Sequence, residues 1–289
     1  MARVRAITGI DHLGIVSRDM MATERAYKRL GFYVTEPKPL TAPDARGRQQ
    51  PTGQDSQHFV FRDTYVELTG ITDPNAKNHL EPYIARYAGL HILALNCKSA
   101  DAASAALRGE GLPIPAANQA GREVLYGKPG LARFKWFMIP PAIAPEGLVC
   151  AVEHVTPEIV YQDVVMNHPN GAVSLIEATL CTTDLAGACR NYQRFLGVPD
   201  TPLPYGRAFD MGESRVVLCD PAGLARRYPG VRPPAVPCYI GLAVGVVDLD
   251  HTRTYLTNAG VRIQSDGLDR LWVGPEAGAG AVVEFRRAD

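Results

Sequence analysis

The chain has 289 residues, 46% of them hydrophobic, with 30 basic and 30 acidic side chains and so no formal net charge. A neutral chain offers no field of one sign to hold nucleic acid or an anionic membrane surface. No apolar run approaches the ~20 residues that a helix needs to cross a bilayer, and Met1 to Arg5 lead into no signal-peptide core. The expectation is therefore a globular, cytoplasmic protein that meets a small-molecule substrate. Cys97, Cys150, Cys181, Cys189, Cys219 and Cys238 form no CxxC pair and read as small buried hydrophobes.

Taken in order, the chain repeats one design. Gly9-Ile10-Asp11-His12-Leu13-Gly14-Ile15-Val16 is an apolar strand with one histidine in it. A helical stretch follows from about Met20 to Leu30 and stops at Gly31. The second copy opens on Gly89-Leu90-His91-Ile92-Leu93-Ala94-Leu95, and its helix stops at Gly111. The third opens on Glu177 to Asp184 and stops at Gly197. The fourth opens on Ile240 to Asp248 and stops at Gly260. Apolar residues recur at three- and four-residue spacing in each helix. Asp19, Ser99, Asp184 and Asp248 stand where a side-chain oxygen can accept from the first free helical N–H groups.

Shorter strands follow each helix. The first copy reads as Tyr33 to Thr35, His58 to Arg62 and Thr64 to Leu68; the second as Glu123 to Tyr126, Arg133 to Ile139 and Leu148 to His154. In the third, Arg207 to Met211 and Ser214 to Cys219 flank a hairpin signal. In the fourth, Leu271 to Val273 and Ala281 to Arg286 flank a Gly-rich turn. Each unit is thus strand, helix and three strands, an internal repeat that defines an α+β fold. Pro37 to Gln57 breaks the pattern; it is polar and too long for an ordinary connection, so it reads as a functional lid or a mobile excursion. Thr156 to Gly171 reads as the linker between two halves, residues 1–165 and 166–289.

A lone histidine on an apolar strand is ordinarily a satisfied core residue. Two at the same place in two copies, with a glutamate on each closing strand (Tyr65-Val66-Glu67-Leu68 and Val152-Glu153-His154), suit one divalent metal instead. Alternation puts Glu153 and His154 on opposite faces, and either can be the inward one.

These strand-helix-three-strand pairs, with His on the first strand and Glu on the last, resemble the vicinal oxygen chelate superfamily, the glyoxalase–bleomycin resistance–dioxygenase family. The resemblance implies four βαβββ modules paired into two half-open barrel domains. It implies a divalent ion (Zn, Ni, Mn, Co or Fe(II)) held by His12, Glu67, His91 and Glu153. It also implies enolate chemistry of the lyase or isomerase kind on a small carbonyl or hydroxycarbonyl compound, with Glu67 or Glu153 moving the proton. An Fe(II) extradiol-type dioxygenase using His12, His91 and Glu153, or a non-catalytic resistance-type binding protein, are the alternatives. A homodimer is compatible with this pattern.

Alternation places His58 and Arg62 on one strand face and Tyr65 and Glu67 on one face of the next, so His58, Arg62 and Tyr65 are candidate substrate contacts. For His58 the plainer reading is an exposed loop-edge residue. Phe134, Trp136 and Met138 read as core, and His79, His168 and His251 receive no role. In the second half Glu177 replaces the first histidine and Ile240 the second. That half reads as a structural partner without metal, with Glu177 and Glu284 as rim charge.

Overall fold

The computed structural model describes residues 6–43, 46, 48–76, 78–267 and 269–288; Met1 to Arg5, Asp44, Ala45 and Gly47, which fall in stretches read above, lie outside them. The first module comprises β1 (Gly9–Val16), α1 (Met20–Arg29), β2 (Lys38–Pro43), β3 (Gln49–Val60) and β4 (Tyr65–Ile71). After α2 (Glu81–Ile84), the second comprises β5 (Gly89–Asn96), α3 (Ala100–Gly109), β6 (Asn118–Val124), β7 (Gly130–Ile139) and β8 (Leu148–His154). A crossing segment holds α4 (Pro157–Val160) and a 3-10 turn (Asp163–Val165). The third module comprises β9 (Ala172–Cys181), α5 (Leu185–Leu196), β10 (Thr201–Leu203), β11 (Gly206–Asp210) and β12 (Arg215–Cys219). After α6 (Pro221–Arg227), the fourth comprises β13 (Cys238–Val246), α7 (Leu249–Asn258), β14 (Arg270–Val273) and β15 (Val282–Arg287).

The expected caps form. Asp19 accepts from the Ala22 N–H, Ser99 from Ala102, Asp184 from Gly187, and Asp248 from Asp250 and His251. Gly31 and Gly197 end their helices at φ 87° and 71°, a left-handed turn that a β-carbon would strain.

Modules pair one with two and three with four. In the first half the strands run β1-β4-β3-β2-β6-β7-β8-β5 and close into a barrel; in the second they form a seven-stranded sheet, β10-β11-β12-β9-β13-β15-β14. The two repeat one pattern, β1 parallel to β4 and antiparallel to β5, β9 parallel to β12 and antiparallel to β13. The fourth module departs from the repeat: it has two strands after its helix, and the third is reduced to a bridge between Gln264 and Trp272.

The stretch expected as a lid is β2 and most of β3, and it closes the barrel through the pairing of Thr41 with Gly121. Its polarity has a structural use. Gln54 and Ser56 face inward, where Gln54 donates to Thr69 Oγ1 at 2.8 Å and Ser56 to Glu67 Oε1 at 2.6 Å. A buried polar face of this kind has the composition of a loop. Tyr33 to Thr35 is not a strand, although the Thr35 N–H still bonds the His58 carbonyl.

The outward faces of the two sheets share one apolar core, in which Leu13, Ile15 and Leu93 join Leu175, Leu242 and Phe285. Each such side chain contributes about 1.5–3 kcal/mol when buried, against at most about 1 kcal/mol for an exposed ion pair, so this core holds the halves together. Within the junction the Tyr192 and Tyr239 hydroxyls bond Glu146, whose carboxyl is raised by burial.

His168 also belongs to this junction and is buried, contrary to the reading that gave it no role. Its Nδ1 accepts from the Tyr33 N–H at 3.0 Å and its Nε2 donates to the Val60 carbonyl at 3.0 Å, which requires a neutral ring. Burial lowers its pKa to about 4. The unfolded chain therefore binds the proton first, and stability is lost as pH falls from about 6.5 towards 4. The stability advantage of wild type over His168→Gln, measured by urea denaturation, should shrink by about 2 kcal/mol between pH 7 and pH 5. A constant advantage would show that the ring takes up its proton in the fold as readily as in the unfolded chain.

Candidate functional site in the first barrel

Two apolar plugs bound the barrel interior. At one end Leu80 and Ile84, from α2 and its cap, pack against Val16, Ile92 and Leu148. At the other, Val160 and Val165 pack against Val60, Tyr65, Val124 and Ala132. The crossing segment, expected as a linker, thus closes the barrel. Phe134, Trp136 and Met138 are half-buried on the inward face of β7 rather than deep in the core.

The polar centre depends on a bulge. Ile10 pairs with Leu95 and His12 with Ala94, so Asp11 is an extra residue in β1. A bulge breaks the alternation of side chains, and Asp11 turns in beside His12. Ser214 of the second half braces it, accepting from the Ile10 N–H at 2.8 Å. Asp11 is fully buried. Its Oδ1 lies 2.5 Å from His12 Nδ1 and its Oδ2 2.8 Å from His154 Nε2. Burial pushes the Asp11 carboxyl up, but the His154 charge and the bonds to both imidazoles hold it well below the usual carboxylate range. The Tyr161 hydroxyl is 3.2 Å from His154 Nε2. The Tyr65 ring stacks on His12 at 4.4 Å and meets the rings of His58 and His154 edge-on.

The expected metal ligands separate. His12 stands in the centre just described. Glu67 faces the interior on the same side of β4 as Tyr65 and is held by Ser56. His91 falls on a second bulge, where Gly14 pairs with Ile92 and Ile15 with Leu90. Its ring stacks on Tyr87 at 3.9 Å, and its Nε2 donates to the Tyr87 carbonyl at 2.8 Å. Glu153 faces out of the barrel with Val149 and Ala151 and accepts from the Ala100 N–H at the start of α3, at 2.8 Å. His154 is the inward residue of that pair.

Of the candidate substrate contacts, Tyr65 is the hub of the centre and Arg62 lines a cavity of about 480 Å³ that also includes Lys98, Asn96, His154 and Tyr161. His58 is buried, not exposed, and burial, then the Arg122 charge, hold it neutral. Asp11, Tyr161 and Arg122 were not singled out from the sequence. Only the Asp11-His12 doublet carried a signal, and strict alternation concealed it.

In the second half Glu177 and Glu284 are fully buried rather than rim charge. Arg227, at the end of α6, lies between them, with Nη2 2.5 Å from Glu177 Oε1 and 3.2 Å from Glu284 Oε2. Arg215 and Arg286 also meet Glu177, at 2.7 and 3.0 Å, and Arg270 meets Glu284 at 3.1 Å. The Tyr228 hydroxyl donates to Glu284 at 2.6 Å.

Two pairs of such modules, each pair building one sheet, define the vicinal oxygen chelate fold. The profile of the family described as "Glyoxalase-like domain" matches residues 10–196, and the chain belongs to that family. No curated protein matches it in sequence. Among solved structures, a hypothetical protein from Staphylococcus aureus superposes with a TM-score of 0.66 at 9% identity, covering 96% of this chain and 98% of that one. A mutant of 4-hydroxymandelate synthase from Streptomyces coelicolor gives 0.58 at 13% identity, over 98% and 93%. A xylose isomerase-like TIM barrel/4-hydroxyphenylpyruvate dioxygenase fusion protein gives 0.59 at 14% identity, over 99% of this chain and half of that one. At these identities the likeness is one of fold.

Members of the superfamily generally use a divalent metal. The four residues expected to hold it here are not gathered around one ion: Glu153 faces out of the barrel at the start of α3, and His91 lies on a separate bulge against Tyr87. Among the described residues no group of three or more His, Cys, Asp or Glu side chains has the spacing to hold one.

Proposed function

We propose that this protein binds a small carbonyl or hydroxycarbonyl compound in the first barrel and moves a proton at the carbon beside the carbonyl, an isomerase- or lyase-type reaction. The observation that carries this reading is Asp11 seated between two imidazoles. A carboxylate that accepts from His12 Nδ1–H leaves His12 Nε2 with its lone pair free, the tautomer a general base requires. Among the described residues Nε2 has no hydrogen-bond partner. The base takes the proton from the substrate carbon, and His12, charged in that step, is stabilised by Asp11. The proton then returns to the same or the neighbouring carbon. Glu67 faces the same interior and is a second proton carrier.

The test is proton exchange. A panel of 2-oxo and 2-hydroxy carbonyl compounds, with and without a carboxylate, is incubated with the protein in deuterated water. Carbon-bound deuterium is expected with wild type and at least 100-fold less with His12→Gln, the usual scale of general-base loss. Undiminished exchange in that variant removes His12 as the base. Oxygen uptake with catechols would instead support a dioxygenase, and ligand binding without turnover a sequestering protein.

A further inference from the structure

Arg122, on β6, is 8% exposed. Among the described residues no carboxylate lies within ion-pair distance of its guanidinium, although Glu36 and Glu123 line the same cavity. It packs over the rings of Tyr65 and Phe134, at 5.5 and 5.9 Å. Its Nη1 donates to His58 Nδ1 at 3.1 Å, the Tyr126 hydroxyl lies beside the guanidinium, and among the described residues its buried Nη2 has no partner. A buried, uncompensated cation is costly, and folded proteins keep one only where something pairs with it.

His58 completes the pair. Because its Nδ1 accepts from Arg122, the neutral ring carries its proton on Nε2, and that N–H also lacks a partner among the described residues. The His58 backbone is fixed by Thr35 Oγ1, which accepts its N–H at 2.9 Å. The guanidinium charge suits one oxyanion, and the His58 N–H is a separate donor beside it. Both side chains line a cavity of about 180 Å³, room for roughly six waters or one small organic anion. The Tyr65 ring touches this pair on one side and His12 on the other.

The geometry points to an anion subsite formed by Arg122 and His58, which receives the carboxylate of a small organic acid. The inference rests on the first barrel being a small-molecule site, and it narrows the substrate to one carrying a carboxylate. Arg122 anchors that group and takes no part in the proton transfer.

The experiment is thermal melting of wild type, Arg122→Met and Arg122→Lys with 2-hydroxy acids of two to five carbons, their uncharged amides, and inorganic phosphate. Without ligand, Arg122→Met is expected to melt at or above wild type, since it removes an unpaired buried charge. The acids should raise the wild-type melting temperature and the amides should not. Arg122→Met should lose the response, with affinity at least tenfold lower, and Arg122→Lys should retain part of it. Equal responses to acid and amide, or an undiminished response in Arg122→Met, overturn the subsite. Stabilisation by phosphate alone overturns the carboxylate in favour of a phosphate ester. These readouts do not depend on turnover. An intact acid response without proton exchange removes the reaction and leaves the subsite; the reverse removes the subsite alone.

Discussion

Arg227→Leu is expected to destabilise the fold by about 3–5 kcal/mol, the usual cost of leaving buried charge without its partner. Arg227 is fully enclosed, its guanidinium over the rings of Tyr205 and Tyr228 at 4.7 and 4.9 Å, and it is shared by Glu177 and Glu284. Burial pushes the Glu177 carboxyl up, but Arg227, Arg286 and Arg215 outweigh it and bring it down to about 2. A depressed carboxyl contributes stability above its unfolded pKa, near 4.5, and loses it as pH falls towards 2. Without Arg227 the folded value rises towards the unfolded one, so the acid dependence flattens as stability falls. Urea titrations at pH 7 and pH 3 measure both. A loss under about 1 kcal/mol at pH 7 would mean that Arg215, Arg270 and Arg286 suffice.

Asp11→Asn is expected to lower the proton-exchange rate by about 10²–10⁴-fold while leaving the barrel folded. The amide is nearly isosteric, but it is neutral and can present N–H to His12 Nδ1. That turns the ring to the opposite tautomer and occupies the lone pair needed at Nε2. The charge that stabilises an imidazolium is also lost. The defect should appear in the rate more than in the apparent substrate affinity, because Asp11 acts through His12. A rate within threefold of wild type in a folded Asp11→Asn variant would remove the carboxylate from the mechanism.

The repeat was legible because its signals are local. Strand-helix openings, the capping side chains of Asp19 and Asp248, and the stopping glycines each follow from a few neighbouring residues. Two sequence-based errors share a cause in long-range pairing. The polar run before Gln57 becomes strand because Thr69 and Glu67, on another strand, satisfy its side chains. The bulges at Asp11 and His91 are set by the register of β1 on β5, which no single stretch encodes. One bulge brings Asp11 to His12; the other places His91 on Tyr87. The expected four-ligand set rested on matching places in two modules, and the bulges give those places different surroundings. Glu153 against His154 was a phase ambiguity of one residue, resolved by the pairing of His154 with Phe134. Arg122 gave no signal at all, since a lone arginine in a polar strand looks like any surface charge.

The closing of the first sheet bears on how copies of this chain meet. A closed barrel has no outer strand to offer a neighbour. The second sheet ends on β10, three residues with Pro202 at the centre, and on β14, four residues whose outer side is already engaged by Gln264. Proline lacks the N–H that a pairing strand would need. Molecules of this protein in concentrated solution therefore have little backbone with which to extend one another's sheets. Any association between them must be made by side chains.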